Sequence, residues 1–484
     1  MHHSKQENKS RGFLAQLVQS IWFTPRGSGV RIPQDPQKRK RNLSKKFGFL
    51  AQLVQSIWFT PRGSGVRIPQ DPQKSLKKLG DFFVLFLGYL RVSLPLFLIF
   101  IYLCLHLNLL DVKELHIISF NYPYPPSYGG IIDVYYKIKA LSDLGIRIHL
   151  HCFVDKIPVK IDPEVEKSTE NVFFYEKKKN LLLYFSKIPF AAVIRDSDLL
   201  LKNLESIQAP ILFEGLQTTS IIRFQKYSRH KLYLRHHNNE TEYYKGLSLS
   251  EKNIFKKIVY RIESLKYKGY QKKLLKKFET VFCLSEKEYN EVEAYSGNAR
   301  LVHIFHGNPS VRQLDKKGNY FLFHGDLTTA DNKKALIETL DLFKTLPQYK
   351  LVVASDRASE DIKRKISAVE NTTLVPIRTT ENLHHLLENA HANILISYQN
   401  SGTKVKLFNT LYNSRFVIIN GSITDDPALK DLSLYGADMA EIRQQIIASA
   451  EKDYNDTEKR KQILENTHSD HAKAEEIVKI IFKN

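Results

Sequence analysis

Residues 115–130 read LHIISFNYPYPPSYGG: a short apolar run, a proline-rich turn, then two glycines opening the helical pattern of residues 131–144. An apolar run bounded by turn signals and followed by helix periodicity reads as the first half of a β-α-β unit. Gly129 and Gly130 would bring bare backbone N–H groups to the helix N-terminus, where the dipole favours a phosphate. A plain tight turn capping the helix would use the same two glycines. The stretch is not GxGxxG, and no Walker A sequence occurs in the chain, so neither common nucleotide fingerprint is present.

Working outward, the same alternation continues. Strands are expected at 146–153, 172–175, 211–214, 232–235 and 280–284, with a long basic helix at 255–278. Residues 302–308 lead into a polar linker at 313–318. A second series follows, with strands at 320–324, 350–354, 373–375, 393–397 and 415–420 and helices between them. The tail from 439 is helical in period. The expected architecture is α/β: two Rossmann-like parallel-sheet domains, 112–315 and 316–484, facing a central cleft, with C-terminal helices. Such sheets bind ligands beyond the carboxyl ends of their strands.

The first 111 residues read differently. Residues 12–38 and 48–74 are the same 27 residues, GFLAQLVQSIWFTPRGSGVRIPQDPQK. Stacking repeats keep core positions and let surface positions drift; here nothing has drifted, so selection acts on the nucleotides. Val30-Arg31-Ile32 back-translates to GTT CGA ATC, a tRNA T-loop. Residues 1–74 are therefore expected to be two tandem tRNA genes read as protein, the alternative being a recent duplication of a real peptide. Residues 82–110 are almost continuously apolar, long enough to span a bilayer. They form either a transmembrane helix with its N-terminal end in the cytoplasm or untranslated DNA before a start at Val112. Residues 1–111 carry 17 Lys and Arg against 5 Asp and Glu, which is +12 of the formal +21. The mildly basic remainder is no nucleic-acid signature. Three cysteines without a pairing pattern (Cys104, Cys152, Cys283) argue for a reducing compartment, and a cytoplasmic, membrane-peripheral location is expected.

Three further stretches carry chemistry. In NSGTKVK (400–406), Ser401, Gly402 and Thr403 would present N–H groups at a helix start, with Lys404 in its first turn. A lysine there opposes the macrodipole unless an anion such as a pyrophosphate sits beside it; a solvated lysine near a serine cap is the alternative. In LRHHNNETEYY (234–244), Arg235, His236, His237, Asn238 and Glu240 concentrate donors, acceptors and a group titrating near neutrality. Two adjacent histidines lack a third ligand at recognisable spacing, so no metal is expected. Finally, Lys256, Lys257, Arg261, Lys266, Lys268, Lys272, Lys273, Lys276 and Lys277 decorate one helical stretch. That face either docks on anionic lipid head groups or is simply solvated.

Residues 114 to about 480 resemble the group 1 glycosyltransferases of the GT-B fold, particularly the bacterial polysaccharide-biosynthesis type. The resemblance is carried by FNYPYPPSYGG (120–130), LRHHNNETEYY (234–244), FHGN (305–308), LFHGDL (322–327) and SGTKVKLFNTLYNSRFVIIN (401–420). It implies a sugar moved, mostly with retention, from a nucleoside-diphosphate sugar to a glycan or lipid-linked acceptor, without metal or other cofactor. The donor would lie chiefly on the C-terminal domain and the acceptor on the N-terminal one. By the same resemblance Gly130 approaches the donor phosphates, Lys404 neutralises the leaving diphosphate, and His324-Gly325 line the cleft. Asn409 stands where the family has a ribose-gripping glutamate. His237 is expected near the reacting sugar, with Arg235, Asn238 and Glu240 on the acceptor side. The missing glutamate keeps a non-catalytic sugar-nucleotide-binding subunit open as an alternative, as the shared fold does a nucleotide-sugar epimerase.

Overall fold

The computed structural model describes residues 113–223, 229–251, 253–398 and 404–482. The duplicated segment, the apolar segment and Ser401–Gly402–Thr403 lie outside the described residues. Among those described, no helix is long and apolar enough to cross a membrane.

Two sheets organise the chain. The first contains β1 (Glu114–Ser119), β2 (Arg147–Val154), β3 (Asn171–Glu176), β4 (Ile211–Glu214), β5 (Leu232–His236), β6 (Thr280–Cys283) and β7 (Ala299–Leu301), in the order β3-β2-β1-β4-β5-β6-β7. The second contains β8 (Tyr320–His324), β9 (Leu351–Ala354), β10 (Thr372–Val375), β11 (Ala390–Leu395), β12 (Phe416–Ile419) and β13 (Leu434–Tyr435), in the order β10-β9-β8-β11-β12-β13. Every pairing within both sheets is parallel. Parallel strands are covered on both faces and so read as unbroken apolar runs; β1 is buried at all but its first residue. The two strands not expected from the sequence, β7 and β13, are short edge strands with partly exposed residues.

The helices of eight or more residues are α1 (Gly129–Asp143), α2 (Asp198–Ser206), α3 (Glu240–Ser250), α4 (Ile254–Leu274), α5 (Glu286–Ser296) and α6 (Ala330–Lys344). They continue with α7 (Glu360–Ser367), α8 (Thr380–Asn389), α9 (Val405–Asn413), α10 (Met439–Ala450), α11 (Thr457–Thr467) and α12 (Asp470–Ile481). The last helix leaves the second domain. Ala474, Ile477 and Ile481 of α12 pack in one core with Val134, Ile138 and Leu141 of α1. The segment 316–484, expected as one domain, thus gives its final helix to the first sheet, because that helix's apolar face matches α1 rather than the second core.

The crossing between the sheets is built tightly. Leu284 and Ile304 share a core with Leu407, Phe408 and Leu411 of α9. Gly307 has φ +77, and a Cβ there would fall 2.1 Å from the Tyr136 ring, so only glycine fits the FHGN turn. Cys152 and Cys283 are buried free thiols, and burial pushes both up.

Candidate functional site

Each sheet reverses its strand order at one place, between β1 and β4 and between β8 and β11. Loops beyond those switch points diverge and leave a crevice. Here the two crevices form one cleft of about 380 Å³, lined by Gly129, Gly130, His237 and Asn238 from one side and Asp331, Asn332, Ser397, Lys404, Val405 and Lys406 from the other. A Cβ on Gly129 would lie 3.6 Å from Val405 and one on Gly130 would lie 3.0 Å from Phe120. Gly129 thus lies in contact distance of Val405 at the start of α9, and Gly130 packs closely on the Phe120 ring.

Those two helix starts differ from those of the other helices of eight or more residues. Of the twelve numbered helices, only α1 and α9 have neither a side-chain N-cap nor an acidic residue in the first turn. Helix N-termini carry unsatisfied N–H groups and a partial positive charge, normally met by Ser, Thr, Asp or Asn. Leaving both ends that face the cleft without such partners suits an anionic ligand.

Lys404 is the residue before α9, in extended conformation, and Lys406 is its second helical residue. Both lysines are among the cleft-lining residues, and Lys406 Nζ reaches the Ile396 carbonyl at 3.5 Å. Burial pushes Lys404 down, opposed by Asp331 and Glu288. Burial pushes Lys406 to about 8, with Asp331 opposing and Lys404 adding. The Asp331 carboxylate accepts from Ser397 Oγ (2.8 Å) and from the Tyr398 amide (2.8 Å), fixing the loop after β11 to the start of α6.

On the opposite wall, His237 is held by a buried ion network. Its Nε2 donates to Glu214 at 2.8 Å, and its ring meets Phe120 edge-on. Lys137 joins Glu214 (2.9 Å) to Asp133 (2.9 Å). Arg235 grips Asp133 through Nε (3.0 Å) and Nη2 (2.8 Å). Burial alone would raise the Asp133 carboxyl, but Arg235 and Lys137 hold it well below the usual carboxylate range. Glu214 is likewise lowered against its burial, by Lys137 and His237. The bond to Glu214 fixes the orientation of the imidazole and leaves Nδ1 as its second ring nitrogen. Asp133, Glu214 and His237 could by spacing hold a metal, yet Lys137 already supplies the cation between the two carboxylates.

Several expected site residues sit elsewhere. Arg235, expected on the acceptor side, is fully buried, because its guanidinium neutralises Asp133 and donates to the Val302 and His303 carbonyls (2.5 and 2.9 Å). Glu240 is also buried. Gly325 packs beside the Asn332 side chain, and His324 bonds Thr410 (3.2 Å); neither is among the cleft-lining residues. Asn409 accepts from Asn308 at 2.9 Å and so faces the interdomain turn. Asp331 and Ser397 of the cleft lining, and Asp133, Lys137 and Glu214 buried behind His237, were not anticipated. The i, i+4 pair Asp133–Lys137 inside the apolar pattern of α1 was the available signal for the network.

No family model matches the chain. An uncharacterized 44.6 kDa protein in the cps region of Klebsiella pneumoniae is 25% identical over 325 residues, covering 63% of this chain and 82% of that protein. Among solved structures, TarM has a TM-score of 0.56 at 11% identity, covering 77% of this chain and 99% of its own. A trehalose-6-phosphate protein from E. coli, bound with UDP-2-fluoro glucose, scores 0.54 at 10% identity over 77% and 100%. Sucrose-phosphate synthase from Thermosynechococcus elongatus scores 0.52 at 13% identity over 76% and 98%. With two all-parallel sheets meeting at a shared cleft, residues 113–482 have the two-domain GT-B fold of these glycosyltransferases.

Proposed function

We propose that the chain transfers a sugar, with retention, from a nucleoside-diphosphate sugar to a glycan or lipid-linked acceptor at an anionic membrane surface, in polysaccharide biosynthesis. One observation carries the reading: the two helix N-termini facing the cleft lack both caps and acids, with Lys404 and Lys406 beside them. A diphosphate is the leaving group that such a site receives. As the bond to the sugar breaks, negative charge grows on the diphosphate, and groups already oriented toward it stabilise that charge without reorganising. A front-face route lets the departing phosphate take the acceptor's proton, so no protein nucleophile is required. His237, its Nε2–H committed to Glu214, offers Nδ1 to a sugar hydroxyl. The relative's place in a cps region is in keeping with this reading.

Asn409 favours a second reading. It stands where the resemblance places a ribose-binding glutamate, and its carbonyl oxygen is taken by Asn308, which suits a subunit that binds sugar nucleotide without turning it over. The test is thermal unfolding of the full chain with UDP, GDP and their sugars, followed by sugar release and transfer assays. A ligand present at 100 times its dissociation constant stabilises by about 2.7 kcal/mol. A shift with one nucleotide that Lys404→Ala abolishes, together with turnover, is the expected result. A shift without turnover selects the binding subunit, and no shift with any nucleotide overturns the donor site.

A further inference from the structure

Helix α4 is turned inside out. Its buried positions are Glu263, Ser264, Tyr267 and Leu274, whereas Ile254, Phe255, Ile258, Val259, Ile262 and Leu265 are exposed, Phe255 by 77%. At about 100° per residue these six share one arc of about 140°, opposite the packed side. A surface helix ordinarily does the reverse. The packed side sets Tyr267 and Leu274 in the core and adds polar bonds: Glu263 accepts from the Phe190 amide (2.7 Å) and from Lys266 (2.7 Å), and Ser264 donates to the Thr241 carbonyl (2.9 Å). The 3-10 turn Leu181–Phe185 extends the apolar face, with Leu181, Leu182 and Phe185 all exposed. Lys266 ties that turn to α4 through the Tyr184 carbonyl (2.7 Å).

Cations border this face. At the same angular spacing Lys257, Arg261, Lys268 and Lys272 fall along one edge of the arc. Lys245, Arg261, Lys268 and Lys272 also line a cavity of about 430 Å³ against only two acids, Glu242 and Glu291. Asn239, next to Asn238 of the donor cleft, lines it too. Aliphatic side chains with a positive border match a bilayer, where acyl chains meet the arc and lipid phosphates meet the cations. A second copy of the chain would bring the same positive border against itself.

We propose that this face docks on an anionic lipid bilayer, with the α4 arc and the 181–185 turn at the acyl boundary and a head-group phosphate in the Lys245–Arg261–Lys268–Lys272 cavity. The proposal rests on the sugar-transfer reading only for its purpose, delivery of a lipid-linked acceptor beside the cleft. Vesicle binding needs no nucleotide sugar, so failure here and failure of the donor site are distinguishable.

The apolar segment 82–110 can attach the full chain to lipid by itself, so the readout must be local. In a Cys104→Ser background, Ile258→Cys and, independently, Phe255→Cys would carry an environment-sensitive fluorophore. Ser367→Cys, exposed on the second domain, is the control, and buried Cys152 and Cys283 stay unlabelled. Vesicles containing phosphatidylglycerol should shift the emission at 255 and 258 to the blue and leave 367 unchanged, with a weaker response on pure phosphatidylcholine. Changing Lys257, Arg261 and Lys268 together to Gln should weaken the response about 100-fold in lipid concentration, at about fivefold per charge. No shift at 255 and 258, an equal shift on neutral vesicles, or a shift that grows with protein concentration without lipid would overturn the proposal.

Discussion

Burial holds the Glu240 carboxyl at about 7 against a usual 4.5, with Arg195 opposing and Glu288 adding. A carboxyl raised in the folded state contributes stability that is whole below the unfolded value and is lost as pH rises through the folded one. Glu240→Gln should therefore be close to neutral at pH 4.5 and stabilising by up to about 3 kcal/mol at pH 8, read by urea unfolding at the two pH values. Lys406 sets a second pH dependence. Because its ammonium sits at about 8 in the free protein, half its charge is lost near that pH. Diphosphate binding should weaken as pH rises through 8, and Lys406→Arg should move the decline upward, both measurable by calorimetric titration. His237 owes its orientation to Glu214. Glu214→Gln should lower turnover more than it lowers nucleotide affinity, since the donor phosphates are proposed to lie with α1 and α9 and not with this pair.

At the scale of the element, an uncapped helix start is a choice between stability and binding. Tyr128 is the N-cap of α1 without a capping bond, and its side chain is about half exposed. Tyr128→Asp would supply the missing acceptor, worth about 1 kcal/mol, while placing a carboxylate where the ligand phosphate is proposed to sit. The expected outcome is a higher melting temperature without ligand and a nucleotide shift that is reduced or lost. If the shift survives at full size, the anion does not bind at α1. The same scale explains why α4 could be misjudged. Its spacing of apolar and basic residues defines two faces, but the bonds of Glu263 and Ser264 to the body, with Tyr267 and Leu274 set in the core, decide which face turns outward.

For the whole molecule, α12 fastens the second half of the chain to the first. Ile477 is fully buried against the first core, so Ile477→Ala should cost about 2–5 kcal/mol and loosen α1, read as faster hydrogen exchange there. Acid should also act globally. Burial lowers His116, His236 and His468 to about 4, and His306 and His324 to about 3. Below 6.5 the unfolded chain binds protons that the folded chain refuses, so stability falls as pH drops toward those values, by about 1 kcal/mol per pH unit for each histidine. Melting temperature should decline steeply from pH 7 to pH 5. The positions of most strands along the chain were legible in the sequence because strands buried on both faces carry unbroken apolar runs; β7 and β13 were not, being short edges, and the order of strands within each sheet came only from the structure. Gly129, Gly130, His237, Asn238 and Lys404, which line the cleft, stand out in the sequence because each follows a strand end or opens a helix. Arg235, Glu240, Gly325 and Asn409 are not among the cleft-lining residues, because residue type reveals the capacity to bond but not the partner. Local pattern, set by contacts within a few residues, thus determined the elements and the strand ends that frame the cleft. Only the tertiary structure decided that Asp133 would meet Arg235 across 102 residues, that α12 would return to the first sheet, and that α4 would face its apolar side outward, since each depends on which surfaces the finished fold brings together.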